Sequence, residues 1–280
     1  VINASNIQYN NLFIVSPAET AYEPNMLIAF DKTDGEIAWK WKPENFRWNI
    51  FNLYGYQNYA ILSCVEGILV VDLDTGNINW TYTYGNHQDS SPFGRVIDQY
   101  FYIPIDEGPG YPYNFTGKLC RFNIYDGSLK IIDKHEDASK NYNPSFSVPE
   151  KFLDLNSGDE MLIYRLDYHD GHPKDDYSEI ICKNITADTI VWSYSNEEGV
   201  SPNGYFFPLV HVNQVIYTRN HTVYVLSLET GNLIKKIDTG TQFDEFTSSF
   251  SSTRPSIYND KLHLISGMGN YFKIDLSNFE

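Results

Sequence analysis

Cysteine, methionine and positive charge are all scarce in this 280-residue chain, which has three Cys, three Met and 20 Lys plus Arg against 36 Asp plus Glu. Cys64, Cys120 and Cys182 cannot all pair within one chain, and no two stand close enough for a metal knuckle or a redox Cys-x-x-Cys. Each lies in an apolar, strand-like run, which predicts small buried hydrophobes and leaves one disulfide open. The shortage of cations gives a formal net charge of −16. Such a charge repels phosphate backbones and anionic headgroups, so no nucleic acid partner is expected; a cationic, neutral or sugar-like partner fits better.

Long apolar runs are missing too. Nothing approaches the roughly 18 apolar residues of a membrane-spanning helix, and no apolar signal-like stretch opens the chain. The first residue is Val1 rather than Met, already within a strand-like segment. That predicts a processed, extracytoplasmic protein and allows a lipid anchor upstream of Val1. Sequon-like triplets at Asn3, Asn79, Asn114, Asn184 and Asn220 matter only in a eukaryotic secretory pathway. No phosphate loop, no G-x-S-x-G elbow and no H-E-x-x-H helix appears, and helical periodicity is nearly absent. His87, His135, His211, His221 and His263 are scattered singly among turns and strands and read as structural.

What is abundant is aromatic: 22 Tyr and 17 Phe, side chains that suit a pleated surface and favour an all-β chain. Self-comparison organises them. Met26–Trp39 reads MLIAFDKTDGEIAW and Ile68–Trp80 reads ILVVDLDTGNINW, with Asp31/Asp72, Gly35/Gly76 and Trp39/Trp80 all offset by 41. The frame recurs with Gly127, with Asp188 and Trp192, with Gly231, and faintly at YFKIDLS around Asp275, making six copies. Each copy is an apolar strand, a turn rich in Asp, Asn, Thr and Gly, and a second strand that often carries Trp, which is a β-hairpin. The glycines stand where the turn needs positive φ, and the Asp or Asn ahead of them can bind the turn's own N–H groups. Two further strand signals precede each hairpin, such as RVIDQ then YFYIPID. Four strands per repeat at spacings of 41, 51, 61 and 43 residues predict a β-propeller of six four-stranded blades, with the longer spacings assigned to loop insertions. One domain over 1–280 is expected. The last blade is incomplete, or is closed by an N-terminal strand, and seven or eight blades follow if the parent chain is longer. Val1 to Gln8 fit a first strand, with Tyr9 to Asn11 turning into LFIVS.

The motif of strand, Asp-x-x-Thr/Asp-Gly, three residues and Trp resembles the blade signature of the pyrroloquinoline-quinone-like (PQQ-like) repeat family over nearly the whole chain. The resemblance implies that Trp39, Trp80 and Trp192 dock against neighbouring blades; Ile131 and Lys235 depart from the pattern. The family includes quinoprotein dehydrogenases, which hold a calcium-supported quinone with a stacking Trp, a catalytic Asp and, in some members, adjacent cysteines. No such set can be placed here, so PQQ is not expected. The non-enzymatic branch includes lipoprotein scaffolds of bacterial outer-membrane assembly. It implies a scaffold or accessory subunit that binds protein in the periplasm, at the outer membrane or at the cell surface.

Three sets of residues are candidates for recognition. Segments leading into the first strand of each blade mix aromatics with Ser, Asn, Pro or Arg, which nominates Arg47, Trp48, Phe93, Arg95, Phe146, Tyr205, Phe206, Phe250 and Arg254 as a partner- or ligand-binding face. The insertion IDEGPGYPYNFTG adds Tyr111, Tyr113 and Phe115, a contact set suited to protein or glycan. The loop DYHDGHPKDD offers Asp167, Asp170, Asp175 and Asp176 as hard ligands for calcium, with His169 and His172 beside them. Against these stand packing of the aromatics between blades and a simple solvated loop. The residues thus predict a non-enzymatic binding propeller, with a glycan or small-ligand protein and a degenerate quinoprotein-like oxidoreductase as alternatives.

Overall fold

The computed structural model describes residues 6–16, 26–42, 50–64, 66–85, 88–90, 93–108, 116–136, 143–169, 177–195, 208–219, 222–238, 255–265 and 271–277. Among them the chain is all-β, with no helix, and its strands form six antiparallel sheets in chain order. Blade 1 holds β1 (Asn6–Tyr9), β2 (Leu12–Val15), β3 (Leu27–Asp31) and β4 (Ile37–Trp41). Blade 2 holds β5 (Ile50–Tyr56), β6 (Tyr59–Cys64), β7 (Gly67–Asp72) and β8 (Ile78–Thr83). Blade 3 has β9 (Gln88–Ser90), β10 (Arg95–Ile97), β11 (Tyr100–Glu107), β12 (Thr116–Asn123) and β13 (Leu129–Glu136). Blade 4 has β14 (Asn143–Phe146), β15 (Glu150–Leu153), β16 (Glu160–His169), β17 (Tyr177–Asn184) and β18 (Thr189–Ser195). Blade 5 has β19 (Leu209–His211), β20 (Gln214–Arg219), β21 (Thr222–Ser227) and β22 (Leu233–Asp238). Blade 6 shows three strands, β23 (Ser256–Tyr258), β24 (Lys261–Ile265) and β25 (Tyr271–Asp275). The chain divides into two compact units, Val1–Glu136 with blades 1 to 3 and Asp137–Glu280 with blades 4 to 6.

The longer repeats are not explained by loops alone. Blades 3 and 4 have longer strands, reaching ten residues in β16. Their first strand is also broken into two pieces on one edge: β9 and β10 both pair β11, and β14 and β15 both pair β16. Pro149, which has no N–H to give a ladder, lies at the second break.

Burial explains why the middle blades read as continuous apolar runs. In β7, Leu69 and Val71 join the core shared with blade 1, while Ile68 and Val70 join the core shared with blade 3. In β21, Tyr224 and Leu226 pack with blade 4, and Val223 and Val225 with blade 6. Successive strand residues point to opposite faces, so a sheet sandwiched between neighbours needs apolar residues at every position. Each such buried Leu, Ile or Val contributes roughly 1.5–3 kcal/mol. Blade 6 alternates instead: Leu262 and Leu264 are buried towards blade 5, whereas Tyr258, Ile265 and Tyr271 are exposed on the other side.

The repeated turns share one construction. The N–H of Gly35, Gly76, Gly127 and Gly231 donates to the carbonyl four residues earlier at 2.8–2.9 Å. The side chains of Asp31, Asp72, Asn123, Asn184 and Asp275 accept from the N–H two residues on at 2.7–3.0 Å. The four glycines have φ between 71° and 77°, and Asp188 takes the same place at 55°. The glycines also make room. A Cβ on Gly76, Gly127 or Gly231 would lie 3.0, 2.8 or 2.5 Å from Trp39, Trp80 or Trp192 of the preceding blade. Each of these indoles donates its N–H to a carbonyl of that same turn, Leu73, Ile124 or Leu228, at 3.1, 2.7 and 2.9 Å. The docking role implied for the three tryptophans is therefore observed as a two-point clamp.

Blade 3 has no clamp, and its departure runs deeper than one substitution. In blades 1, 2, 4 and 5 a β-bulge falls just before the Trp position, as between Ala29 and Phe30 opposite Trp39 and Ile37. In blade 3 it falls later, between Leu119 and Cys120, so that Ile132 is the extra residue. Ile131, aligned with Trp by sequence, is 45% exposed, and Ile132 turns inward at 3%.

Candidate functional site

Antiparallel pairing sorts the connections of every blade to two ends. One end holds the short turns between first and second strands and between third and fourth strands. Exposed or half-exposed acids crowd these turns, among them Asp31, Asp34, Glu36, Asp72, Asp74 and Asp126. The opposite end holds the links from second to third strand and from one blade's fourth strand to the next blade's first. Of the predicted recognition residues, Arg95, Phe146 and Asp167 lie on β10, β14 and β16, and Phe93 stands two residues ahead of β10. Arg47, Trp48, Tyr111, Tyr113, Phe115, Tyr205, Phe206, Phe250 and Arg254 lie outside the described residues, as do Asp170, Asp175, Asp176 and His172.

The described members are held in place by packing. Phe93 is half-buried, and the neighbouring Gly94 donates its N–H to the Tyr54 hydroxyl at 2.8 Å. Tyr54 stacks at a tilt on Phe101, with ring centroids 5.2 Å apart, and burial pushes its hydroxyl up to about 12. A Cβ at Gly94 would fall 2.1 Å from the Phe101 ring, so only glycine lets the chain pass so close. Arg95 is half-buried at the start of β10, opposite Tyr102. Phe146 is 3% exposed with its ring 5.8 Å from Tyr164, so it packs inside blade 4 rather than presenting a surface.

Asp167 occupies a strand and not a loop. β16 continues to His169 and pairs with β17 as far as Tyr168 opposite Tyr177, which shortens the acidic loop to 170–176. Its carboxylate is engaged by Arg165, whose Nε and Nη2 both reach Oδ2 at 2.8 Å, with side chains 9% and 7% exposed. Residues i and i+2 of a strand share a face, so the pair is built from one element. The backbone of Arg165 is fastened to Ser147: its N–H donates to the Ser147 hydroxyl at 2.9 Å, and its carbonyl accepts from the Ser147 N–H at 2.8 Å. A buried ion pair costs several kcal/mol per ion in desolvation before attraction repays it. Arg165 was not among the residues singled out from sequence; the alternation of Arg165 and Asp167 in an otherwise apolar strand was the available signal. Unit 1 carries a second, wetter pair near the same end of blade 3, Lys118 with Glu107 at 2.5 Å.

Cys64, Cys120 and Cys182 are free, buried and in three different blades, so none forms a vicinal pair. Burial raises all three thiols, to about 12 for Cys120 and Cys182. Among the described residues no three of His, Cys, Asp and Glu are grouped to hold a metal, and no helix is long and apolar enough to cross a membrane.

No family model and no curated protein sequence matches the chain. Solved structures do. BamB from Moraxella catarrhalis is 14% identical with a TM-score of 0.59, covering 98% of this chain and 70% of that one. The Pan2 WD40 domain of Neurospora crassa is 9% identical with a TM-score of 0.52 over 99% of this chain and 76% of its own. The quinohemoprotein alcohol dehydrogenase of Comamonas testosteroni is 12% identical with a TM-score of 0.50; 92% of this chain is covered, but only 55% of the dehydrogenase. At such identities the likeness speaks for the fold alone. With the six antiparallel sheets in chain order it leads to one conclusion: the chain has a β-propeller fold.

Proposed function

We propose that the chain is a non-enzymatic propeller that binds a protein partner as an accessory subunit of a bacterial cell-envelope complex, in the periplasm or at the outer membrane. The observation that carries this reading is the fold shared with BamB over 98% of the chain. Two features of the residues support it. By sequence the aromatic and arginine candidates fall in or beside segments that link strands, and links on a rigid sheet scaffold commonly carry recognition residues. The net charge of −16 favours a partner with a neutral or basic surface.

The test is affinity capture of tagged protein from native envelope extract, beside a variant carrying Trp48→Ala, Tyr205→Ala and Phe206→Ala. A stoichiometric partner that is lost in the variant is expected. If neither sample captures anything, the protein-binding reading fails. A glycan or small ligand held by Tyr111, Tyr113 and Phe115 then takes its place, to be sought as a ligand-dependent rise in melting temperature.

A further inference from the structure

Three neighbouring turns of unit 2 display apolar side chains where those of unit 1 display polar ones. Each of these turns follows the first strand of its blade. In unit 1 they are Asn10-Asn11, Gln57-Asn58 and Asp98-Gln99. In unit 2, Leu153 and Leu155 at the end of β15 are 56% and 96% exposed, Val212 after β19 is 73% exposed, and Tyr258 at the end of β23 is 69% exposed. The turns are held side by side. β15 and β19 lie in contact, and His211 Nε2 meets Asp260 Oδ1 at 3.1 Å, which ties the turn after β19 to the turn after β23. Leu155 is fixed in its turn by the Asp154 side chain, which accepts from the Asn156 N–H at 3.0 Å, and by the Gly158 N–H, which donates to the Asp154 carbonyl at 2.7 Å. Val212 is the least expected of the four. It takes φ +51°, a conformation that a β-branched residue adopts only under strain; the same place in other blades holds Asn10, Gln57, Asp98 and Asn259 at φ 47° to 51°. Neither packing nor turn chemistry favours valine there, since its side chain stands in solvent.

We infer that Leu153, Leu155, Val212 and Tyr258 form one docking surface at the turn end of unit 2, and that it takes a partner-protein segment whose apolar side chains are flanked by Lys or Arg. Exposed apolar side chains grouped on a surface mark interaction sites. Charge selects the occupant. At this end of unit 2, Lys183 and Lys261 are already paired with Asp188 at 2.9 Å and Asp275 at 3.5 Å, and Lys151 with Glu160. Asp154, Glu229 and Asp260 have no lysine or arginine partner among the described residues, so the rim of the patch is left acidic. Such a rim repels anionic headgroups and the same rim on a second copy of this chain, whose net charge is −16, whereas it attracts basic flanks. The inference rests on the protein-binding reading for the class of partner, but it concerns a different surface from the residues tested there.

The probe is the peptide KLLKKLLKKL, titrated into the isotopically labelled full chain beside ELLEELLEEL, which keeps the apolar face, and KSSKKSSKKS, which keeps the charge. Saturable shifts of the Leu155, Val212 and Tyr258 amides with the first peptide alone are expected. Leu155→Ser should weaken that binding about tenfold or more, and Ile265→Ser, at the far end of β24, should leave it unchanged. Val212→Asn separates a binding role from a structural one: it relieves the left-handed strain and should raise the melting temperature, while weakening the peptide about tenfold. Absence of the shifts, or equal binding of either control peptide, overturns the inference. Self-association that Leu155→Ser abolishes in sedimentation would assign the patch to a second copy. Binding to phosphatidylethanolamine and phosphatidylglycerol vesicles that Leu155→Ser abolishes would assign it to a membrane, and either result overturns the occupant inferred here. If the peptide binds the patch although envelope extract yields no partner, this surface stands and the capture-based reading falls. The reverse result sinks this surface alone.

Discussion

The fourth strands of blades 4 and 3 are built from different parts. In the first, Trp192 reaches across to lie on Gly231 and donate to the Leu228 carbonyl. Blade 3 supplies no Trp and its bulge is displaced, and in blade 4 Asp188 stands at the glycine's place in the turn. A glycine in this turn serves positive φ and, where an indole lies on it, the close approach of the ring; where φ alone is required, Asp tolerates it better than most residues. The two compact units divide at Glu136, just after the blade that lacks the clamp.

The contrast breaks most visibly at Trp192. Truncating a buried indole costs about 3–5 kcal/mol, so Trp192→Ala should lower stability by that amount in denaturant unfolding. The matching substitutions in blade 3 tell whether the displaced bulge is correct. Ile132→Ala, at an inward residue, should cost about 2 kcal/mol or more. Ile131→Ala, at an exposed one, should stay within about 0.5 kcal/mol. The opposite ranking would mean that Ile131 holds the Trp position after all.

Glycine substitutions separate the two duties of the turn. Gly231→Ala combines left-handed strain of about 1–2 kcal/mol with a methyl 2.5 Å from Trp192, and overpacking adds about 1–3 kcal/mol. Gly158→Ala has the same φ and open space, so it should show the strain alone. Equal losses at the two sites would show that the indole gives way freely, and the clamp would then contribute little.

The turns were the most legible part of the fold because their chemistry is local: Asp31 and Gly35 act within five residues, and the pattern repeats. Positions set by long-range packing were not legible. The bulge in blade 3 depends on which of two adjacent isoleucines faces the core, and their hydrophobicity is identical. The split first strands of blades 3 and 4 looked like extra loop because short strand pieces carry almost no periodicity. Asp154–Gly158 imitates the repeat turn but joins β15 to β16, so the motif marks a turn type rather than a place in the blade. Of the recognition residues, sequence could name types and segments; Phe146 was named as surface because a buried and an exposed Phe look alike without their neighbours.

Acid should act on the turns selectively. Hydrogen bonds from turn N–H or hydroxyl groups lower the carboxyls of Asp31, Asp126, Asp154 and Asp275 below the usual range. A folded value below the unfolded one, roughly 3.9 for Asp, means that the stabilisation is complete above that pH and is lost as pH falls through the folded values. Asn184 and Ser227, which cap the equivalent turns of blades 4 and 5, do not titrate there. Amide exchange measured from pH 5 down to about 2.5 should therefore loosen Thr33, Ser128, Asn156 and Ser277 while sparing Thr186 and Thr230. Uniform loosening would point to global acid unfolding instead.

The smallest effect is expected at Asp188, and it bears directly on why the unclamped turn can do without glycine. Asp188→Gly relieves the left-handed strain of a side chain at φ 55° but removes an ion pair in which Asp188 Oδ1 meets Lys183 Nζ at 2.9 Å. The Asp side chain is 70% exposed, so solvent screening holds the pair to about 0–1 kcal/mol, similar in size to the strain relieved. The two should cancel to within about 0.5 kcal/mol, whereas Asp188→Ala keeps the strain, loses the pair and should cost about 0–1 kcal/mol. A Gly substitution that stabilises well beyond this range would show that the Asp is strained without compensation. A clear loss would show that the Lys183 pair has taken over from the clamp as the fastening of this turn.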